Sequence, residues 1–387
     1  MAPASPASQE QKRDLSVSKY FGRLKDPRRA HRRIHQLQDI LVIALCAVIA
    51  NAQDWEQIAI FGRSHLDWLR GFLELPNGIP SHDTFERVFR RLKPAAFQSC
   101  FRAWVQAISA ALPIRHIAID GKTLRGSKSA KLGALHLVSA WATEQHLSLG
   151  QVAVDAKSNE ITAIPELLEM LDLNGALVTI DAMGCQKEIA SKIRERGGHY
   201  ALTVKENQPN LLDDIQQQFI KAMDTDFAGM DHDFYEKRER GHGREEYRSY
   251  DVIHSTEGIR LSEEWKDLTT IGMYYCERTI KGKTTEEARY FIGSKKAGAR
   301  YYGKALRNHW GIENNLHWQL DVTFAEDSNR VANRNGAENL ALLRRLTLML
   351  LKAHPSKKSM ADKRYAASVN LAFLEEVLRG DGMLEKR

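Results

Sequence analysis

Apolar residues recur at helical spacing along the first part of the chain, and near Ile114 the period shifts to the short runs of strands. The run Ile40–Ala50 predicts a buried helix within Leu37–Asn51, and Asp54 is placed to cap a second over Trp55–Phe61. A third amphipathic segment carries His65, Leu66, Trp68, Leu69 and Phe72. Across Pro80–Pro94 the spacing turns Phe85, Val88, Phe89 and Leu92 inward and Arg87, Arg90, Arg91 and Lys93 outward. Residues 15–110 therefore read as a helical domain. The polar stretch 1–14 before it, rich in Ala, Ser and Pro, reads as a disordered leader.

Beyond Ile114 the pattern predicts strands over Ile114–Asp120, Leu135–Ala142 and Leu147–Asp155, joined as an antiparallel meander. A helix over Glu160–Leu171 follows, then a strand at Leu177–Asp181, a helix through Glu188, Ile189, Ile193 and Arg194, and a strand at His199–Val204. The order β-β-β-α-β-α-β demands a mixed sheet covered by helices. A β-rich region spans about residues 232–295, in which Lys281-Gly282-Lys283 can close a hairpin. Helical spacing returns over Tyr301–Leu320 and Asn335–Leu351, the latter apolar enough for a core, and a basic tail at 356–387 is expected at the surface.

Charge adds a partner class. The chain of 387 residues carries 56 Lys and Arg against 49 Asp and Glu, and this net +7 suits a polyanion without requiring one. The segment Phe21–Gln36, with Arg23, Lys25, Arg28, Arg29, Arg32 and Arg33 opposed only by Asp26, reads equally as a phosphate-wrapping arm or a solvated face. The basic helical domain likewise fits a duplex binder or one that packs on its neighbour. Cys46, Cys100, Cys185 and Cys276 lack the paired spacing of a zinc site or disulfide framework. The 11-residue run Ile40–Ala50 is too short for a bilayer, and no signal peptide is visible, so a soluble cytoplasmic protein is expected.

Asp120 and Asp181 each end a predicted strand, followed by GKTLRGS and AMGC. If those strands are neighbours, the two carboxylates meet at one sheet edge and can hold a hard cation such as Mg²⁺ through oxygen. The simpler account of either residue alone is a turn cap. Glu313 is the best third carboxylate, because the helical spacing of Ala305–Asp321 aligns it with His309 and His317, away from Leu306, Trp310, Leu316 and Leu320. His309 and His317 stand roughly 12 Å apart along a helix, too far to share one zinc ion. Glu326 and Asp327 are rival third carboxylates. Lys122, Arg125 and Lys128 would face a phosphate backbone. GxxxxGK[ST], HExxH and GxSxG motifs are absent.

The stretches AIDGKTLRGS, DAKSNEITAIPELLE, TIDAMGCQ, YALTVKENQ, GHGREEYR and NHWGIENNLHWQLDVTFAED occur in this order. With them the sequence resembles the DDE transposases of bacterial insertion sequences, in the H-repeat-associated branch, over nearly its whole length. The resemblance implies an α/β fold: an RNase H-like mixed sheet core over residues 111–355, with an inserted β-rich region and an N-terminal helical domain. It implies Asp120, Asp181 and Glu313 as the acidic triad, with HWGIE similar to the family's RWxIE core. His309 stands at the signature arginine, Leu306 at the tyrosine and Leu320 at the lysine, so Lys304 or Arg307 would supply lost phosphate contacts. His309 would orient Glu313 or the phosphate, and Lys205 and Asn207 would hold DNA near the sheet edge. The implied chemistry is two-metal phosphoryl transfer with Mg²⁺, or Mn²⁺, the ions typically about 3.5–4 Å apart. Its implied partners are the double-stranded ends of its own element and target DNA, with a homodimer on DNA. The alternatives are a catalytically silent or regulatory DNA-binding descendant, and a nuclease that cuts without joining.

Overall fold

The computed structural model describes residues 17–110, 112–128, 133–154, 160–241 and 243–380. The leader expected at 1–14 and the end of the tail lie outside them.

Among the described residues six α-helices come first: α1 (Val17–Phe21), α2 (Leu37–Ile49), α3 (Trp55–Ser64), α4 (Leu66–Leu69), α5 (His82–Arg91) and α6 (Pro94–Ser109). The Asp54 carboxylate accepts the Gln57 N–H at 2.8 Å and so caps α3 as expected. On α5, Phe85, Val88 and Phe89 are fully buried, while Arg87, Arg90 and Arg91 face solvent. Phe72 departs from expectation and is half exposed.

Nine strands make one sheet in the order β3-β2-β1-β4-β5-β9-β8-β7-β6. β1 (His116–Leu124), β2 (Leu135–Ala142) and β3 (Leu147–Val154) pair antiparallel, and β4 (Leu177–Ile180) and β5 (His199–Val204) join β1 in parallel. The parallel crossovers run through α7 (Glu160–Glu169) and α8 (Lys187–Glu195). This mixed sheet with N-terminal helices is consistent with an RNase H-like core. After α9 (Pro209–Asp224) come β6 (His232–Gly241), β7 (Arg244–Ile253), β8 (Thr270–Ile280) and β9 (Lys283–Gly293), all antiparallel, and β9 pairs antiparallel with β5. The β-rich region therefore widens the central sheet.

α10 (Ala299–Ile312) runs into two π-helical turns, Glu313–His317 and Gln319–Thr323. α11 (Arg334–Ala353) is buried on nearly every side, between the N-terminal helices and the sheet. The Asn339 amide donates to the Phe89 and Leu92 carbonyls at 2.8 and 2.9 Å, closing the C-terminal end of α5. The N-terminal helices thus pack on a neighbour, whatever else they bind. The expected surface tail is corrected for residues 360–379. α12 (Met360–Val369) and α13 (Leu371–Arg379) bury Ala367, Leu374 and Val377, and Arg364 reaches inward to the Val48 carbonyl at 2.9 Å. Their apolar stripes pull these helices onto the core despite the basic composition.

Candidate active site

Asp120 does not end its strand, contrary to the sequence expectation. β1 continues to Leu124, still paired with β2 through Asp120↔Ser139. What ends there is its other edge: the last rung between β1 and β4 is Ile119↔Ile180. Asp120 and Asp181 therefore both stand one residue beyond the final rung of adjacent parallel strands. The cleft at the carboxyl ends of parallel strands brings the two carboxylates together.

Both acids also have local bonds. Asp181 Oδ1 accepts the Met183 N–H at 3.1 Å and caps a 3₁₀ turn, and Asp120 Oδ1 accepts the Gly121 N–H at 2.9 Å. The turn-cap account is true of Asp181 but does not exhaust it. Burial, then the charges of Asp120 and Glu160, push the Asp181 carboxyl above the usual carboxylate range. Burial pushes Asp120 the same way, but a hydrogen bond from His317 and the neighbouring imidazoles outweigh it and hold Asp120 low. His317 Nδ1 lies 3.3 Å from Asp120 Oδ2. Glu313 is raised by burial and by the charge of Asp120.

The π-helical turn at Glu313–His317 lets this segment bring both Glu313 and His317 to Asp120. π-turns of this kind collect at functional sites. An open cavity of about 500 Å³ is lined by Asp181, His309 and Glu313, with Lys205, Arg289 and Arg307 around them. Asn207 also lines it, donating to the Ala182 carbonyl at 2.8 Å. Lys304 and Arg125 are exposed outside that lining. The Arg289 guanidinium lies over the Trp310 ring at 5.4 Å.

Lys122 requires a correction. Instead of facing a phosphate backbone it is buried, with Nζ at 2.7 Å from Asp321, 3.0 Å from Glu326 and 3.3 Å from Asp327. It follows Asp120 by two residues on the same strand and so shares its buried face. Glu326 is fully buried and also pairs with Arg345 at 3.4 Å. Ion pairing thus commits Glu326, one rival of Glu313, to the interior, and ties the half-buried Asp327 to Lys122.

Glu160 and His136 were not among the sequence candidates. His136 Nε2 lies 2.7 Å from Glu160 Oε1, and its Nδ1 lies 2.8 Å from Thr123 Oγ1. A methyl group on Gly121 would stand 2.2 Å from Glu160 Oε1, so the pair rests on the backbone beside Asp120. The only sequence signal was a Glu opening a helix inside DAKSNEI.

Asp120 acts electrostatically on both Asp181 and Glu313, and Glu160 on Asp181, and carboxylates with hard oxygen donors fit a divalent cation in type and charge. Among the described residues, no group of three or more His, Cys, Asp or Glu side chains is already arranged to hold one. Asp120 Oδ2 instead faces His317.

Residues 111–350 match the family model described as "Transposase DDE domain", and residues 18–105 match "DDE_Tnp_1-associated". This chain belongs to the DDE transposases, in their H-repeat-associated branch. It is 40% identical over 369 residues to "H repeat-associated putative transposase YhhI" of Escherichia coli (strain K12), spanning 93% of this chain and 97% of that one. It is 40% identical over 370 residues to "Putative transposase YncI" of Escherichia coli O157:H7, covering 94% of each. A solved piggyBac transposase synaptic complex with hairpin DNA matches at TM-score 0.42 and 12% identity, over 93% of this chain and 78% of that chain. The family assignment rests on the sequence matches. Among the described residues no helix is long and apolar enough to cross a membrane.

Proposed function

We propose that this DDE transposase cuts the DNA ends of its own element and joins them to target DNA, with Asp120, Asp181 and Glu313 as the acidic triad. The register that sets Asp120 and Asp181 side by side carries this reading. Support for Glu313 comes from its place in the same cavity as Asp181 and from the commitment of its rivals to Lys122 and Arg345.

The three carboxylates would hold Mg²⁺, or Mn²⁺, two ions in all, which when bound supply charge stabilisation at the phosphoryl group and a more acidic attacking hydroxyl. The protein does the rest by placement. Lys205, Arg289 and Arg307 line the same cavity as Asp181 and Glu313, so a phosphodiester entering it meets cations beside the carboxylates. Arg289 is held by Glu287 at 2.7 Å and stacked on Trp310, which fixes its direction. Trp310 and Tyr290 supply apolar wall. Arg125 and Lys304, exposed beyond the cavity, are placed to meet DNA further from the reacting phosphate. Coordinated action on two ends fits a homodimer on DNA.

The test is cleavage and joining of labelled DNA carrying the element's own ends, with Mg²⁺, comparing wild type with Asp181→Asn. Losing one acidic ligand should raise the barrier by about 4 kcal/mol or more, roughly a thousandfold in rate. DNA binding should persist. Equal product from both proteins would remove Asp181 from the chemistry.

A further inference from the structure

His317 and Glu313 approach Asp120 from one face of the sheet. The other face reaches the same place. β1 runs on with β2 beyond its last rung with β4, so from Asp120 to Leu124 it is an open edge on the β4 side. Along that edge Asp120 and Lys122 point one way and Gly121 and Thr123 the other. The place of the missing Gly121 side chain is taken by Glu160, whose Oε1 would stand 2.2 Å from a methyl group there. Glu160 opens α7. One turn along the same side of that helix, Ile164 Cδ1 lies 3.2 Å from where a methyl group on Gly184 would be, in the turn that Asp181 caps. This side of α7 therefore extends from the backbone that follows Asp120 to the turn that follows Asp181.

Glu160 is held rather than neutralised. An ionised carboxylate can only accept, so His136 donates its Nε2–H to Oε1 at 2.7 Å. The other ring nitrogen, Nδ1, lies 2.8 Å from the Thr123 hydroxyl, and Thr123 and His136 are partners in the β1–β2 register. Both side chains of the pair are largely buried, His136 25% and Glu160 21% exposed. The other acids packed against β1, Asp321, Glu326 and Asp327, all lie on the ammonium of Lys122. Among the described residues no Lys or Arg stands on Glu160, and its Oε2 makes no hydrogen bond. Its charge acts on Asp181 instead. A carboxylate fixed beside two others without a cation works against folding, whereas a divalent ion among them turns that cost into attraction.

We infer that Glu160 is a fourth acidic residue of the cation site proposed for Asp120, Asp181 and Glu313, and that His136 is the positioning residue that fixes it there. The role of Glu160 rests on the reading of that site as one for a divalent ion. Mg²⁺ keeps several of its waters, and a carboxylate that accepts from such a water strengthens binding without itself becoming a ligand.

The experiment titrates Mn²⁺ alone into the full-length protein, read by loss of the free-ion paramagnetic resonance signal, in wild type, Glu160→Gln, His136→Ala and Asp181→Asn. Glu160→Gln should weaken Mn²⁺ binding about ten- to a hundredfold, as loss of outer-shell partners does. Its metal-free Tm should stay level or rise, because the repulsion on Asp181 is relieved. His136→Ala should weaken binding in the same direction and serves if Glu160→Gln does not fold. A part in folding alone would lower the metal-free Tm and leave Mn²⁺ affinity as it was. Unchanged affinity in Glu160→Gln (failing that, His136→Ala) would therefore overturn the inference, whatever the Tm. Weakened binding in Glu160→Gln with unchanged affinity in Asp181→Asn would count against the proposed triad and keep Glu160. The reverse pattern would keep the triad and remove Glu160.

Discussion

Replacing Lys122 by Met tests whether this lysine is a structural ion or a DNA contact. In the wild type its ammonium serves three carboxylates at once, and the fully buried Glu326 would retain Arg345 at 3.4 Å and the charge of Arg344. Stranding a buried charge by removing its partner costs about 3–5 kcal/mol. Asp321 and Asp327, 34% and 29% exposed at the side chain, can turn to water, so their share is within about 1 kcal/mol. Methionine recovers the stem's packing, which sets the net cost near 3 kcal/mol, or a fall in Tm of roughly 4 °C for a chain of this length. The pH dependence has a definite sign. Glu326 is a depressed carboxylate whose contribution is present above its unfolded value of 4.5 and lost as pH falls through the folded one. Lys122 is raised, so its contribution is present below 10.5 and lost as pH rises past its folded value. The gap between wild type and Lys122→Met should therefore be full between those two values and close in acid. Thermal melts over that range, with DNA binding at several salt concentrations, decide the matter. A Tm within about 1 °C of wild type, together with a salt dependence shallower by about one ion, would refute the buried role and restore Lys122 as a phosphate contact.

Gly121→Ala should force Glu160 and His136 apart, because its methyl would meet them at 2.2 and 2.5 Å. A cost of roughly 1–3 kcal/mol is expected in chemical denaturation, with a larger proportional loss in end cleavage. Glu338 is raised to about 7, by burial first and then by Glu166, against the opposing charge of Arg334. A carboxyl raised in the folded state is most stabilising when protonated and loses that contribution as pH rises from 4.5 through 7. Glu338→Gln should accordingly leave stability unchanged at pH 4 and raise it by up to about 3 kcal/mol at pH 8, as melting curves would show. Lys205→Ala and Arg307→Ala should each weaken binding of the element's ends and shallow its salt dependence by about one ion without moving Tm. Unchanged salt slopes would take the cavity rim off the DNA path.

Most of the sheet was legible because its strands are buried on both faces and read as apolar runs. β2 falls on the expected Leu135–Ala142, and β5 on His199–Val204. Elements that face water escaped. β6 is an edge strand whose residues are nearly all exposed, with charges at most positions, so no apolar alternation marks it. In α9 the apolar face of Leu211, Ile215 and Phe219 is diluted by Asp213 and Gln216–Gln218. The tail was misjudged for the converse reason: composition is an average, and the fold responds to the stripe within it.

The site divides along the same line, between what a local pattern can carry and what only register supplies. An aspartate after an apolar run reads as the end of a strand, and for Asp181 that is the geometry. For Asp120 the run continues, because a strand may lose one neighbour while keeping the other, and no local signal distinguishes the two cases. The same blindness put Lys122 on the outside: next to Gly121 and Arg125 it looks like part of a basic loop, yet two residues along a continuing strand from Asp120 it must share that residue's face. The continuation of β1 to Leu124 is therefore the one fact that both corrects the position of Asp120 and buries Lys122. It also accounts for why a lysine is needed there. Once β1 passes beyond β4, its inward positions meet the acidic segment Asp321–Asp327 that follows Glu313, and an apolar side chain at 122 would leave that segment's buried carboxylate without its second cation. By this reasoning Lys122 holds the strand of Asp120 against the segment of Glu313, and any variant that frees it should loosen Glu313 before it disturbs Asp181, whose strand β4 does not take part.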